Sequence, residues 1–210
     1  MGLSGMSGCC DSGCEIQVDS SAQKKTLWLV LLINVLMFFV LIFGSFLGKT
    51  VSLFADSFDN LGDAITYAVS IWAVGKGSLQ KARVSLFKGL LIITGALAVA
   101  VNFSIKWFTH EIPIAELMGG LSVAALIANL ICLGLLWRHR NDDINMESVW
   151  HCSRNDIVTN SSVILAAFLV WHFNSWVPDM VLGGILFFYL MRSGVIITLK
   201  SLKQMKELSE

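Results

Sequence analysis

Apolar residues in this chain fall into six long runs, roughly residues 27–47, 51–75, 85–107, 115–137, 147–171 and 179–199. About 20 mostly apolar residues cross the hydrocarbon core of a bilayer as a helix, and each run reaches that length. The stretches between them are short and carry breakers or charge: "GKT", "GKGSLQKAR", "THEIP", "RHRNDDINM" and "NSWVP". None leaves room for a soluble domain between spans. The predicted fold is all-α, a polytopic membrane protein with six transmembrane helices. Residues 1–25 read as a flexible Cys-containing tail, 26–200 as the membrane domain and 201–210 as a short second tail.

Charge sharpens this picture. Only 14% of the 210 residues are charged and 55% are hydrophobic, against about 25% charged in an ordinary soluble domain. Net charge is zero, so nothing points to a nucleic acid. With both termini on the cytoplasmic side, twelve Lys and Arg residues, Lys88 among them, fall inside and only Lys49 and Lys106 outside. That asymmetry sets the orientation by the positive-inside rule. Trp28, Trp107, Trp137, Trp150 and Trp176 cluster near span ends, where interfacial aromatics belong. The Gly119-Gly120 and Gly183-Gly184 pairs read as points of close helix packing. Five cysteines, two of them in apolar runs, read as free thiols rather than a disulfide framework.

The second run departs from the apolar pattern. "LFADSFDNLGDAITY" places Asp56, Asp59 and Asp63 within eight residues, although one Asp at mid-membrane costs about 3 kcal/mol. At about 100° per residue the three lie within an arc of roughly 60°, a narrow stripe on one helix face. Asp59 and Asp63 are one turn apart and can share a ligand. Bare carboxylates so close repel, and a bound divalent cation removes that cost by supplying the opposite charge. Pairing with basic residues is the competing explanation. Arg154 is the basic residue that the pattern places well inside a span, and one arginine does not balance three aspartates.

A matching polar group opens the fifth run, "SVWHCSRNDIVTN". Asp156 and Cys152 are four residues apart on one face, His151 is turned by about 100° from Cys152, and Asn160 continues the Asp156 face. Carboxylate with thiolate or imidazole is a zinc-type donor set, whereas carboxylates alone suit magnesium or calcium. Counted from opposite membrane edges, Asp59, Asp63 and Asp156 each lie roughly 12–18 Å deep, near the middle of a core about 30 Å thick. Two half-sites at one depth can close around one ion.

Paired acidic ligands in the second of six spans, facing an i, i+4 pair in the fifth, resemble the cation diffusion facilitator transporters. The block "ADSFDNLGD" is similar to that family's Asp-x-x-His/Asp-x-x-x-Asp element, and "CSRND" falls where the family usually has His-x-x-x-Asp. The resemblance implies metal ligands at Asp59, Asp63, Cys152 and Asp156, with Cys152 replacing the usual histidine and His151 as the alternative fourth ligand. Asp56 takes the preceding acidic position, as a further ligand or part of a proton path. A branch of short bacterial members carries a similar Cys-Ser-Arg-Asn-Asp string and a Cys-rich N-terminus. By this resemblance the chain exports a divalent cation, with Zn2+ favoured over Cd2+, Co2+ and others, in exchange for protons. It implies a bacterial inner (plasma) membrane location and no prosthetic group; the family commonly carries a cytoplasmic domain after the sixth span, which this chain reads as lacking, so a homodimer would form through the membrane helices.

Cys9, Cys10 and Cys14, beside Asp11 and Glu15, are spaced to capture a soft or borderline metal; a solvated tail with incidental thiols is the alternative. Two other functions compete. One is a monovalent cation/proton antiporter, favoured by oxygen-only ligation; the other is a metal-binding membrane protein that does not transport. A membrane zinc hydrolase would need an open ligand position and a general base, and no His-Glu-x-x-His string is present. The chain does not read as an enzyme.

Overall fold

A computed structural model describes residues 21–72, 78–137 and 144–207 of the chain. It contains six helices in the expected order: α1 (Ser21–Gly48), α2 (Val51–Trp72), α3 (Ser78–Thr109), α4 (Ala115–Trp137), α5 (Ile144–Phe173) and α6 (Val177–Glu207). Among the described residues there are no strands. Several helices extend beyond the apolar runs, because polar residues at membrane edges continue the hydrogen-bond ladder at no desolvation cost. The tail with Cys9, Cys10 and Cys14 lies outside the described residues.

Five helices are long and apolar enough to cross a membrane. The exception is α2, whose three aspartates lower its hydropathy. Packing explains how α2 is tolerated. Its residues 51–57 are all buried, and it touches α1, α3, α5 and α6. The neighbours carry the lipid-facing surface instead, with Phe43, Leu47, Phe108, Phe173 and Phe188 among the most exposed side chains.

The turns at the outer end share one device. Lys49, His110 and Asn174, which follow α1, α3 and α5, all adopt positive φ (55°, 52° and 46°). This is the left-handed cap that ends a helix by turning the backbone back on itself. After α1, Thr50 N–H donates to Ser45 O at 3.0 Å, the long bond of a Schellman motif. Immediately afterwards Thr50 caps α2, its Oγ1 accepting from Leu53 N–H at 3.0 Å.

The α2 N-terminus receives a second cap from a distant helix. Asp179, at the start of α6 and 1% exposed, accepts from Val51 N–H at 2.7 Å, Ser52 N–H at 3.0 Å and Ser52 Oγ at 2.5 Å. With Thr50 this satisfies three amides that would otherwise lie unpaired in an apolar surround. The carboxylate also faces the positive end of the α2 dipole.

The helices pair as α1–α2, α4–α5 and α3–α6. Helices α3 and α6 approach backbone to backbone at two glycines. A Cβ on Gly89 would lie 2.9 Å from Thr198 N and 3.2 Å from Gly194 O, and one on Gly194 would lie 3.1 Å from Ile93 N. Ser201 Oγ reaches Ser85 Oγ at 2.9 Å one turn further in. Of the glycine pairs expected to mark close packing, Gly183 does so, against Val51 Cγ1 at 2.6 Å, whereas Gly120 faces open space.

Two apolar clusters divide the interior. The larger joins all six helices and includes Leu41, Leu53, Val99, Met118, Val163 and Met180. The smaller, with Leu27, Val30, Ala64, Tyr67, Cys132 and Leu136, joins α1, α2 and α4 toward the inner end. Cys132, one of the two cysteines in the apolar runs, is a buried free thiol here. The acidic part of α2 lies where the two clusters meet.

Candidate transport site

Helical geometry sends Asp56, Asp59 and Asp63 to one side of α2, and the antiparallel α5 brings Asp156 up against it. The Asp63 and Asp156 carboxyl groups are in hydrogen-bonding contact. Two carboxyl groups so close hold a proton or a cation between them, since both cannot stay ionised alone. Asp59 and Asp63 line one small cavity with Phe58, Gly62, Lys88, Ile92, Leu190 and Ser193. Its volume of about 10 Å³ is room for one water-sized sphere.

The buried oxygens around this point are incompletely paired. Asp56 Oδ2, Asn60 Oδ1, Asp63 Oδ2 and Asn160 Oδ1 are buried and accept no hydrogen bond. The two asparagines share one arrangement. Asn60 Nδ2 donates to Asp56 O at 3.0 Å and Asn160 Nδ2 donates to Asp156 O at 2.8 Å. Each amide is therefore held by its own helix with its oxygen left over. Counting outward from the Asp63–Asp156 contact at 1.5 Å per residue, Asn60 and Asn160 stand at nearly one level, about 5 Å further out. Native interiors leave few such groups unpaired, and each asks for an explanation.

The sequence-predicted residues are distributed as follows. Asp63 and Asp156 meet, and Asp59 joins Asp63 at the cavity. Asp56 is 2% exposed and stands two turns outward of Asp63. Cys152 and His151 belong to α5, but their side chains lie outside the described residues. Among the described residues, no three His, Cys, Asp or Glu side chains come within reach of one ion. The Asp63–Asp156 pair is thus the part of the expected ligand set that the described residues bring into contact.

Two features escaped the sequence reading. Lys88 was placed with the inner-face basic residues, yet it turns into the bundle, where its Nζ donates to Thr66 Oγ1 on α2. A ten-residue lead of helix before it lets the lysine stem reach α2. The other is Asn60, whose i+4 spacing from Asp56 repeats that of Asn160 from Asp156. That repeat was visible as a string and lacked only the contact that gave it meaning.

The family profile of the cation efflux transmembrane domain matches residues 27–205, which takes in nearly all of the six helices. The chain belongs to the cation efflux family. No curated protein gives a significant match. Membership makes this cation efflux protein a multi-pass membrane transporter of metal cations, and the acidic contact between α2 and α5 is the candidate place for the cation.

Proposed function

We propose that the protein exports a divalent metal, Zn2+ foremost, from the cytoplasm in exchange for protons, through a site built from Asp59, Asp63, Cys152 and Asp156. The observation carrying this reading is the Asp63–Asp156 contact, set among buried oxygens without donors. A divalent cation answers both features, since it joins the carboxylates and offers the oxygens a partner. Carboxylate and thiol must be deprotonated to hold zinc, so metal and protons compete for the same atoms. Alternating exposure of such a site to the two faces turns that competition into exchange. Asp56 lies on the outward side and serves release or the proton path. Cys9, Cys10 and Cys14 supply capture on the cytoplasmic side, and His151 stands as the substitute for Cys152. The setting is a bacterial inner membrane and the working unit a homodimer.

The test is Zn2+ uptake into proteoliposomes carrying an internal pH dye. Asp63→Ala and Asp156→Ala should each abolish both Zn2+ flux and the Zn2+-dependent pH change in protein that remains monodisperse. Unchanged flux in either variant sinks the site. One observation favours a second reading: the four unpaired acceptors are all oxygen, which suits Na+ or another hard monovalent ion. Cys152→Ser separates the two. Zinc affinity should fall if the thiolate is a ligand, and stay constant if the oxygens alone bind.

A further inference from the structure

The cavity beside Asp63 contains a cation of the chain's own. Lys88 stands ten residues into α3, about 15 Å along the axis. Its ammonium lines the same cavity as Asp59 and Asp63 and lies close enough to Asp63 for direct charge attraction. The hydrogen bonding around it is directional. Thr66 Oγ1 donates its own proton to Gly62 O at 2.8 Å, which leaves a lone pair to accept from Lys88 Nζ. The threonine therefore holds the lysine head one turn inward of Asp63, beside the carboxylates. The root of the lysine is equally fixed. Its neighbour Gly89 is the residue at which α3 and α6 come into backbone contact, so the ammonium is anchored to the α3–α6 pair while the carboxylates belong to α2 and α5.

We propose that Lys88 is the resident counter-cation of the transport site, an ammonium that an arriving divalent metal displaces and that ties the α3–α6 pair to α2 during the metal-free step. This rests on Asp59, Asp63 and Asp156 being the metal's ligands. Lys88 is a positioning residue, since an ammonium has no lone pair to give a metal. Its effect is electrostatic. A fixed positive charge a few ångströms from a partly buried site weakens binding of a second cation, and a transporter needs affinity weak enough for release. It also gives the carboxylates a partner after the metal leaves, so the return step does not expose unpaired charge. Because the lysine rides on α3, loading the site and freeing the α3–α6 pair become one event.

The experiment measures Zn2+ binding by calorimetry and Zn2+ transport in proteoliposomes for wild type, Lys88→Met, Lys88→Gln and Lys88→Arg. The neutral variants should bind Zn2+ at least about tenfold more tightly, the scale expected when a unit charge leaves a partly buried site. Their KM and kcat should fall together, and Lys88→Arg should stay near wild type in affinity. A neutral variant with unchanged or weaker affinity overturns the proposal, as does an arginine variant that behaves like the methionine one. If neither neutral variant is recovered folded, the wild type decides. Saturating Zn2+ should change the labelling of Lys88 by an amine-reactive reagent, and constant labelling overturns the proposal. Asp63→Asn in the same calorimetry separates this from the parent reading: loss of Zn2+ binding there with no Lys88 effect sinks only the role of Lys88, whereas retained binding in Asp63→Asn sinks the site itself.

Discussion

Asp179 and Asp63 are both aspartates buried among apolar helices, at 1% and 9% exposure, yet their surroundings are opposite. Asp179 closes the start of α2 and receives three hydrogen bonds, two from amides and one from a hydroxyl. Asp63, three turns further along the same helix, meets another carboxyl group and a lysine and has an oxygen with no donor. The first is a finished structural joint. The second is left open, with one buried oxygen still lacking a donor. Burial of a carboxylate in a membrane helix does not by itself mark a transport site; the state of its hydrogen-bond partners does.

The contrast predicts a crossing pattern, and its largest effect is on transport. Asp63→Asn should lower Zn2+ flux at least about a hundredfold, since a neutral amide replaces a charged ligand. Thermal stability should hold steady or rise, because one of two buried carboxyl groups in contact becomes neutral and their mutual repulsion is relieved. Asp179→Ala should do the reverse. Losing an anionic acceptor from two helix amides and a hydroxyl costs about 2–4 kcal/mol, read as a lower unfolding midpoint in detergent. Asp179→Asn should recover part of that while leaving the Zn2+ KM unchanged. The distinction collapses if Asp179→Asn removes Zn2+ affinity or if Asp63→Asn unfolds the protein.

Much of this was legible in the sequence. The six helices follow from the apolar runs, because in lipid a segment of that length has few ways to satisfy its backbone other than as a helix. The acidic stripe on α2 follows from helical period alone, and its meeting with Asp156 follows from equal depth on antiparallel helices. Depth could not reveal which neighbours stand beside the stripe. Lys88 looked like an inner-face charge because a long flexible side chain can snorkel outward or turn inward, and only packing decides. Asp179 sits in "SWVPDM", which looks like an ordinary helix start; its real partner begins about 130 residues earlier, a pairing that no local pattern encodes. The close α3–α6 contact was equally hidden. Gly89 and Gly194 are single glycines in separate spans, whereas the adjacent pair at Gly119-Gly120 drew attention and contributes no comparable contact.

That contact offers the next test, intermediate in size. At Gly89 an added methyl meets backbone on the facing helix, which cannot rotate aside as a side chain can. Gly89→Ala should therefore separate α3 from α6 by a few tenths of an ångström and cost about 1–3 kcal/mol, the usual range for overpacking. Gly120→Ala, facing open space, is the matched control and should change stability by less than about 0.5 kcal/mol. Equal midpoints for the two variants would show that the α3–α6 crossing is not under that constraint. Loss of transport in Gly89→Ala beyond its loss of stability would link the crossing to movement of the pair that carries Lys88.

The smallest effect belongs to the outer surface, where a carboxylate has ample partners and little burial. Glu111, between α3 and α4, pairs with Lys106 Nζ at 2.8 Å and Lys49 Nζ at 3.2 Å, tying the connection to the ends of α1 and α3. The Lys106 hydrogen bond foremost, and Lys49 after it, hold its carboxyl below the usual glutamate range. A depressed folded-state pKa means stabilisation that is complete above the unfolded value of about 4.3 and is lost as pH falls through the lower folded value. Both lysines and the glutamate are within reach of solvent and salt, so the effect is slight. Glu111→Gln should lower the unfolding midpoint marginally at neutral pH and low salt, and the difference from wild type should close both as pH falls through the lowered folded value and at high salt. A difference that persists under acid would mean that Glu111 acts through packing rather than charge, and would place it with Asp179 among the structural joints.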